Sequence, residues 1–195
     1  NPEVTIIFNF DSSGTLKTQI QEGADCDLFI SAGQPQMDQV DVLEGTRTDF
    51  LENKIALCVS EICDVRLKTF DDLAKALQEG EILMAMGNRD VPVGQYTQKI
   101  LDYYELNEEE LADAGVISYG SNVKEVTTQI SEGSVDCGVI YCTDAFSAGL
   151  TVKDSATAEM CGQVIYPAAV LKVSENQELA KEFLAFIQTD ACMEI

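Results

Sequence analysis

Three short segments of the chain share a pattern that suits the binding of a small anion. They are "DSSGTL" (11–16), "DVPVGQY" (90–96) and "GSNVKEV" (120–126), and in each of them small or polar residues lead into a helix-forming run. The first turn of a helix leaves backbone N–H groups without partners and carries the positive end of the helix dipole. Several such turns directed at one point can hold an oxyanion without any charged side chain.

Two serines add hydroxyl groups to the first of these segments. Ser12 and Ser13 directly precede the predicted helix. Their hydroxyls could donate hydrogen bonds to an anion. A serine at this position also commonly caps the helix by accepting a hydrogen bond from a backbone N–H group. The residue types alone leave both interpretations open.

The composition argues against catalysis by the common nucleophilic sets. The chain contains no histidine, which excludes the Ser-His-Asp and Cys-His arrangements. A serine–lysine hydrolase would need a lysine fixed near Ser13, and Lys17, one helical turn further on, is expected to point along the helix and away from it. We therefore expect a binding protein that is not an enzyme and that carries no cofactor.

Charge and cysteine content exclude further classes of protein. Twelve Lys and Arg residues stand against 34 Asp and Glu residues, giving a formal net charge of −22, which argues against binding to nucleic acid or to an anionic membrane surface. Seven cysteines occur without a CxxC pair and without histidine, so we expect no zinc site and no disulfide framework. No segment is apolar enough to cross a bilayer, and no signal segment lies in the given chain.

Strand-like and helix-like segments alternate along the chain, which predicts an α/β protein with parallel or mixed sheets covered by helices. The predicted strands are 4–10, 27–31, 54–60, 81–87, 115–120, 136–141 and 164–173. Helices are predicted in the four intervals that end near Gly23, Gly80, Leu106 and Gly133, and over 176–189.

A weak internal repeat favours two similar lobes. The segments "TQIQEGADCDLFIS" (18–31) and "TQISEGSVDCGVIY" (128–141) share Thr-Gln-Ile, Glu-Gly and Asp-Cys, and each is predicted to be a helix, a tight turn and a buried strand. Chance recurrence of good helix-to-strand chemistry is the alternative. The predicted lobes are residues 1–53 plus 165–195 and residues 54–164, with two crossings that form a hinge.

The chain also resembles a known family. The matching segments, in unbroken order over nearly the whole chain, are "SSGTLKTQIQEGADCDLFISA", "VPVGQYTQKIL", "NVKEV", "GVIYCTDA" and "IYPAAVLK". They resemble the molybdate-binding solute-binding proteins of ABC transporters, within the periplasmic binding protein family. The resemblance implies two α/β lobes around a cleft, each with a mixed sheet flanked by helices and joined to the other by a two-strand hinge.

The resemblance also implies a binding site for molybdate or tungstate. Its donors would be the hydroxyl and N–H groups of Ser13 with Ser12 beside it, the backbone N–H groups of Val93 and Val123, and the phenol of Tyr141. All of these donors are neutral, and the metal would arrive as its oxyanion with no protein atom bound directly to it. Neutral donors hold a dianion and refuse a protonated anion, which presents a donor where only acceptors fit.

Some features of the chain depart from the family pattern. Asp11 stands where the family favours a small residue, and its carboxylate would repel a dianion unless it is turned away. Arg89 replaces an acidic residue and would partly offset that repulsion. The family begins with a further strand and a serine-bearing loop, and it ends with more of the last helix. We therefore expect that the given chain is trimmed at both ends, and that the first lobe lacks a strand.

The implied function is capture of molybdate or tungstate outside the cytoplasm, in the periplasm or on a lipid-anchored protein at the cell surface. The protein would act as a monomer and deliver the anion to the membrane permease of an ABC transporter. The alternatives are a ligand-sensing domain of the same fold and a binding protein for another small anion, such as sulfate, phosphate or an organic anion.

Overall fold

A computed structural model describes residues 3–193, which form two β-sheets with helices packed on their faces. The strands are β1 (Leu28–Ile30), β2 (Thr48–Asn53), β3 (Ile55–Val59), β4 (Met84–Gly87), β5 (Ile117–Gly120), β6 (Cys137–Tyr141), β7 (Val152–Ser155) and β8 (Val164–Val170). The helices are α1 (Ser13–Gln21), α2 (Gln34–Met37), α3 (Phe70–Glu79), α4 (Pro92–Tyr103), α5 (Glu108–Asp113), α6 (Val123–Ser131), α7 (Cys142–Ser147), α8 (Ala158–Cys161), α9 (Gln177–Ile187) and α10 (Asp190–Met193).

The smaller sheet has the strand order β1-β8-β2, and β8 runs antiparallel to both neighbours. Successive residues of β8 point to opposite faces of the sheet. Ala169 therefore packs with Phe29 and Met37 on the side of α1 and α2, whereas Ala168 packs with Leu184 of α9 on the other side. Both faces of this sheet are covered.

The larger sheet has the strand order β5-β4-β6-β3-β7. Strand β4 runs parallel to β5 and β6, while β3 runs antiparallel to β6 and β7. The buried sides of α3 and α4 contribute to the core cluster on one face, and α6 and α7 contribute to the cluster on the other. Because β5, β4 and β6 point the same way, the loops that follow these three strands meet at one edge of the sheet.

Local signals in the sequence explain several helix boundaries. Thr69 and Asp72 form a reciprocal capping box at the start of α3, and Gly80 ends that helix in the left-handed conformation with φ 69°. Pro92 occupies the first position of α4, where the missing N–H group costs nothing. The predicted end of α3 near Gly80 is confirmed.

The strand predicted over 4–10 is wrong. These residues form no strand, and Ile7, Phe8 and Phe10 are 90%, 63% and 85% exposed. A β-branched and aromatic composition favours a strand only where a neighbouring strand supplies hydrogen-bond partners, and no strand within residues 3–193 pairs with this segment. A mixed sheet was expected in the first lobe. In its described part the smaller sheet has only antiparallel pairs, because both of its outer strands pair with the returning strand β8.

The internal repeat forms the same turn twice. Helix α1 ends with bonds from the N–H of Glu22 to the carbonyl of Thr18 (2.9 Å) and from Gly23 to Ile20 (3.0 Å). In α6 the equivalent bonds join Glu132 to Thr128 (2.9 Å) and Gly133 to Ile130 (3.2 Å). Both glycines have positive φ values, 94° and 68°. A strand follows each turn, β1 in the first copy and β6 in the second.

The chain passes from the smaller sheet to the larger one at Asn53 and returns at Val164, close to the predicted lobe boundaries. Asn53 is buried, and its side-chain amide donates to the hydroxyls of Thr143 and Tyr166, both at 2.9 Å. Its amide oxygen accepts from the N–H of Lys54 at 2.8 Å. That the two lobes move as separate units about a hinge stays a prediction.

All seven cysteines are free thiols, and three of them, Cys58, Cys137 and Cys161, are buried. Burial raises the pKa of the Cys58 thiol to about 11, which keeps it protonated and unreactive at neutral pH. Within residues 3–193, every helix is too short or too polar to cross a membrane.

Asn53→Ala tests the importance of the hydrogen bonds at this crossing. We expect the free energy of unfolding to fall by about 1–3 kcal/mol, because the variant leaves buried polar partners unpaired. Urea denaturation followed by circular dichroism measures the change. Asn9→Ala is the matched control, since the exposed amide of Asn9 makes a 2.8 Å bond to Gln19 that lies in solvent. Equal losses in the two variants would contradict this role for Asn53.

Candidate functional site

Three of the residues predicted to bind the anion lie at the carboxyl edge of the larger sheet. Tyr141 ends β6, Val93 lies in the first turn of α4 after β4, and Val123 begins α6 after β5. These strands are neighbours, so the structure brings the three residues to one edge. A backbone bond from the N–H of Asn88 to the carbonyl of Gly120 (2.9 Å) joins the loops after β4 and β5.

The start of α4 presents an unpaired N–H group in a buried position. No side chain caps this helix, and Pro92 has no N–H group to offer. The next donor along the chain is the N–H of Val93, a residue that is 1% exposed. No acceptor for this N–H lies within residues 3–193. Gly94 is required beside it, because a Cβ atom there would lie 2.0 Å from the carbonyl oxygen of Asn88.

Val123 is the first residue of α6, whereas Val93 is the second residue of α4. The preceding Asn122 caps this helix by accepting from the N–H of Glu125 at 2.9 Å, and the Glu125 carboxylate accepts from the N–H of Ser121 at 2.7 Å. These bonds satisfy the neighbouring donors, but within the described chain the N–H of Val123 itself has no acceptor. It is therefore available to a ligand at the same edge as Val93.

The two adjacent serines have different environments. Ser12 caps α1, since its hydroxyl oxygen accepts from the N–H of Thr15 at 3.2 Å and lies 2.9 Å from the Thr15 hydroxyl. Its own N–H donates to the Asp11 carboxylate at 2.6 Å. The ligand role of Ser12 stays a prediction beside this capping role, since either hydroxyl of the Ser12–Thr15 pair can be the donor. Ser13 is buried, and its hydroxyl oxygen accepts from the N–H of Ala32 at 2.9 Å, which leaves its O–H free to donate.

Ala32 and Gly33, which follow β1, connect the two halves of the site. Besides the bond to Ser13, the carbonyl of Ala32 accepts from the Tyr141 hydroxyl at 3.4 Å. A Cβ atom on Gly33 would lie 3.0 Å from the side chain of Pro92 in α4. Loops of the smaller sheet thus contact the carboxyl edge of the larger sheet, and Ser13 and Tyr141 share one neighbour. Sequence reasoning missed Ala32 because it acts through its backbone, although it lies inside a segment that carries the family resemblance.

A second contact between the halves lies beside the first. A Cβ atom on Gly14 would lie 2.8 Å from the carbonyl oxygen of Asp90, so that only glycine fits this approach. The side-chain amide of Gln36 in α2 donates to the amide oxygen of Gln95 in α4 at 3.4 Å. The seam between the sheets is therefore closed by close backbone approach and by neutral groups.

Tyr141 is buried and packs edge-on against Tyr96 and Tyr166, with ring centroids 6.5 Å and 5.6 Å away. Burial raises the pKa of Tyr141 well above its ordinary value, and burial also raises the pKa of Tyr166. Both phenols are therefore protonated, neutral donors at physiological pH.

Arg89 and Lys17, two cations close in sequence to the predicted donors, are engaged by other side chains. Arg89 was expected to offset the charge of Asp11, and that expectation is wrong, since the guanidinium of Arg89 pairs with Glu108 at 3.3 Å and with Glu109 at 3.4 Å. The ammonium group of Lys17 donates to Gln39 at 3.2 Å. Within residues 3–193, no group of His, Cys, Asp and Glu side chains is arranged to hold a metal ion. The predicted donors at Ser13, Val93, Val123 and Tyr141 are all neutral.

The chain matches the family of bacterial extracellular solute-binding proteins over residues 1–195 and belongs to that family. This is a class of binding proteins and not of enzymes. One similar relative is YvgL of Bacillus subtilis (strain 168), named as a candidate ABC transporter substrate-binding lipoprotein. It is 32% identical over 98% of this chain and 73% of its own length. The molybdate-binding protein ModA of Mycobacterium tuberculosis (strain H37Rv) is 29% identical over 98% of this chain and 71% of its own length.

Solved structures agree with this fold. The periplasmic molybdate-binding protein of Azotobacter vinelandii superposes with a TM-score of 0.79, at 20% identity over 94% of this chain and 80% of that one. The sulfate-binding protein SubI of Mycobacterium tuberculosis H37Rv superposes with a TM-score of 0.71, at 16% identity over 93% of this chain and 70% of that one. At such identities the likeness shows the fold alone, and the predicted two-sheet α/β architecture of periplasmic binding proteins is confirmed.

The raised pKa of Tyr141 predicts an alkaline loss of stability. The folded state holds the phenolic proton more tightly than the unfolded chain does. The resulting stabilisation is complete below a pH of about 10 and is lost as the pH rises above it. In Tyr141→Phe the free energy of unfolding should fall less steeply with pH, by up to about 1.4 kcal/mol per pH unit. Urea unfolding between about pH 8 and 11.5 measures both slopes, and equal slopes would contradict the assignment.

Proposed function

We propose that this protein captures molybdate or tungstate in the seam between its two sheets. The donors are the hydroxyl of Ser13, the backbone N–H groups of Val93 and Val123, and the phenol of Tyr141, while Ser12 serves as the helix cap. The observation that carries the proposal is the N–H of Val93, a buried residue, which has no acceptor in the described chain and lies at the sheet edge that also carries Val123 and Tyr141. A buried donor without an acceptor is costly, and a tetrahedral dianion supplies acceptors in several directions.

The energetics of such a site are sufficient for tight binding. Hydrogen bonds to a charged group contribute about 1.5–3 kcal/mol each. Four or more of them reach the roughly −8 to −12 kcal/mol that corresponds to micromolar or nanomolar affinity, after the costs of ordering are subtracted. The protein needs no catalytic group for this task, and it is not an enzyme.

Delivery to an ABC permease outside the cytoplasm completes the proposed role. The family to which the chain belongs is extracellular, and relatives are named as ABC transporter substrate-binding and molybdate-binding proteins. Closure of the seam around the anion would give the permease one defined surface to recognise. The protein acts as a monomer that holds one small oxyanion.

Sulfate is the second candidate ligand, since a sulfate-binding protein shares the fold. Both anions are tetrahedral dianions at neutral pH, but molybdate is the larger. Neutral donors reject the protonated form of either anion. Discrimination between molybdate and sulfate therefore rests on the spacing of the donors. A ligand-sensing role in a regulator is compatible with the same site.

Isothermal titration calorimetry with the purified protein separates these candidates. We expect tight binding of molybdate and tungstate, with sulfate and phosphate weaker by about 3 kcal/mol or more, which is about 100-fold in Kd. Equal affinities for sulfate and molybdate would remove the specific assignment. Binding of sulfate alone would establish the second candidate in its place.

The two adjacent serines provide a matched pair of variants. Ser13→Ala should weaken molybdate binding by about 1–3 kcal/mol, because it removes a donor to the charged ligand. Ser12→Ala should instead lower the free energy of unfolding by about 1 kcal/mol through loss of the helix cap, with a smaller effect on affinity. Calorimetry and urea denaturation of both variants give the two quantities. The reverse pattern would contradict the roles assigned to these serines.

A further inference from the structure

Glu108 is a buried carboxylate that the proposed function does not use. It begins α5, and its side chain is 5% exposed. Among residues 3–193 it is the one acidic or basic residue in the buried set. Burial of a carboxylate is expensive unless charged or polar partners surround it. We therefore expect the buried carboxylate of Glu108 to have a structural or functional role.

One partner of Glu108 lies in strand β5 and the other in the loop after β4, and each precedes a residue with a backbone donor. The hydroxyl of Tyr119 in β5 donates to Glu108 Oε1 at 2.8 Å. The Nε of Arg89, in the loop after β4, lies 3.4 Å from Oε1 and 3.3 Å from Oε2. Burial and the hydrogen bond to Glu108 raise the pKa of Tyr119 to about 12, so this phenol remains a donor. The Glu108 carboxylate thus links the end of β5 to the loop after β4.

Arg89 and Tyr119, the two residues that bind Glu108, lie at equal sequence distances from the residues with the backbone donors. Arg89 lies four residues before Val93, and Tyr119 lies four residues before Val123. The strands β4 and β5 are parallel neighbours with Tyr119 opposite Met86, three residues before Arg89, so Glu108 links the end of β5 to the loop after β4. A shift of either loop relative to the other would change the distance between the two N–H groups.

We propose that Glu108 is a positioning residue that sets the separation between the N–H groups of Val93 and Val123. The inference rests on the proposed function for its effect on binding. Glu108 acts through Arg89 and Tyr119 and does not contact the anion. Two donors that must meet oxygens of the same anion discriminate by size only if their separation is fixed. Loss of the Glu108 carboxylate therefore weakens binding of the larger anion and reduces selectivity over the smaller one.

Glu108→Gln is the principal variant, because it keeps the size of the side chain and an acceptor for Tyr119 but removes the charge that holds Arg89. We expect the Kd for molybdate to rise about 10-fold, with a smaller change for sulfate. Tyr119→Phe removes the hydrogen bond from Tyr119 to Glu108. It should also raise the Kd for molybdate, with a smaller change in the Kd for sulfate. Glu109→Gln is the matched control: Glu109 also pairs with Arg89, at 3.4 Å, but its side chain is 78% exposed, and we expect no change.

A second measurement separates positioning from a general loss of stability. We expect the amide ¹H and ¹⁵N chemical shifts of Val93 and Val123 in the ligand-free protein to move in Glu108→Gln and to stay in place in Glu109→Gln. Unmoved amide signals, or an affinity for molybdate as high as that of the Glu109→Gln control, would overturn the inference. If the unmodified protein binds no molybdate, the proposed function fails, while the amide signals still decide whether Glu108 positions the two loops.

Discussion

A buried backbone N–H group needs an acceptor, and the start of α4 leaves one without an acceptor from the described chain. Pro92 contributes no donor, no side chain caps the helix, and Val93 is 1% exposed. Side chains cap several other helices: Ser12 caps α1, Thr69 caps α3 and Asn122 caps α6. Helices α2, α7, α8 and α9 also begin without a side-chain cap, so the start of α4 is distinguished by the burial of Val93 and by its position where loops from both sheets meet. Under the proposed function, the anion supplies the acceptor that this N–H lacks.

The neutrality of the site follows from the way the chain uses its few cations. Two of them, Arg89 and Lys17, are held by Glu108 and Gln39. With a net charge of −22, the molecule repels anions at long range, although salt limits this repulsion to about 10 Å. Under the proposed function, binding must therefore come from short hydrogen bonds. The close approach of Gly14 to Asp90 brings the two halves of the candidate site into contact.

The features that could be predicted from the sequence are those with local causes. The glycine turns near Gly23, Gly80 and Gly133 act within one helical turn, and the structure has them as predicted. The repeat forms the same helix, turn and strand twice, also as predicted. The strand predicted over 4–10 failed because a strand needs a neighbour, which composition cannot supply. Strand β2 was missed for the converse reason, since pairing with β8 outweighs its polar composition. For the site, residue type does not distinguish Ser12 from Ser13. The partners of each hydroxyl, Thr15 and Ala32, make that distinction in three dimensions.

Tyr141 belongs both to the site and to the packing beside the crossing between the sheets. Its hydroxyl meets the carbonyl of Ala32, while its ring packs against Tyr166, whose hydroxyl accepts from Asn53. A phenylalanine at position 141 would keep the ring contact and lose only the donor. If Tyr141→Phe lowers the affinity for the anion without lowering stability near neutral pH, the loss is due to the hydroxyl alone. A ligand that takes this donor competes with Ala32 for one hydrogen bond, and because the existing bond is long, at 3.4 Å, the exchange favours a charged acceptor.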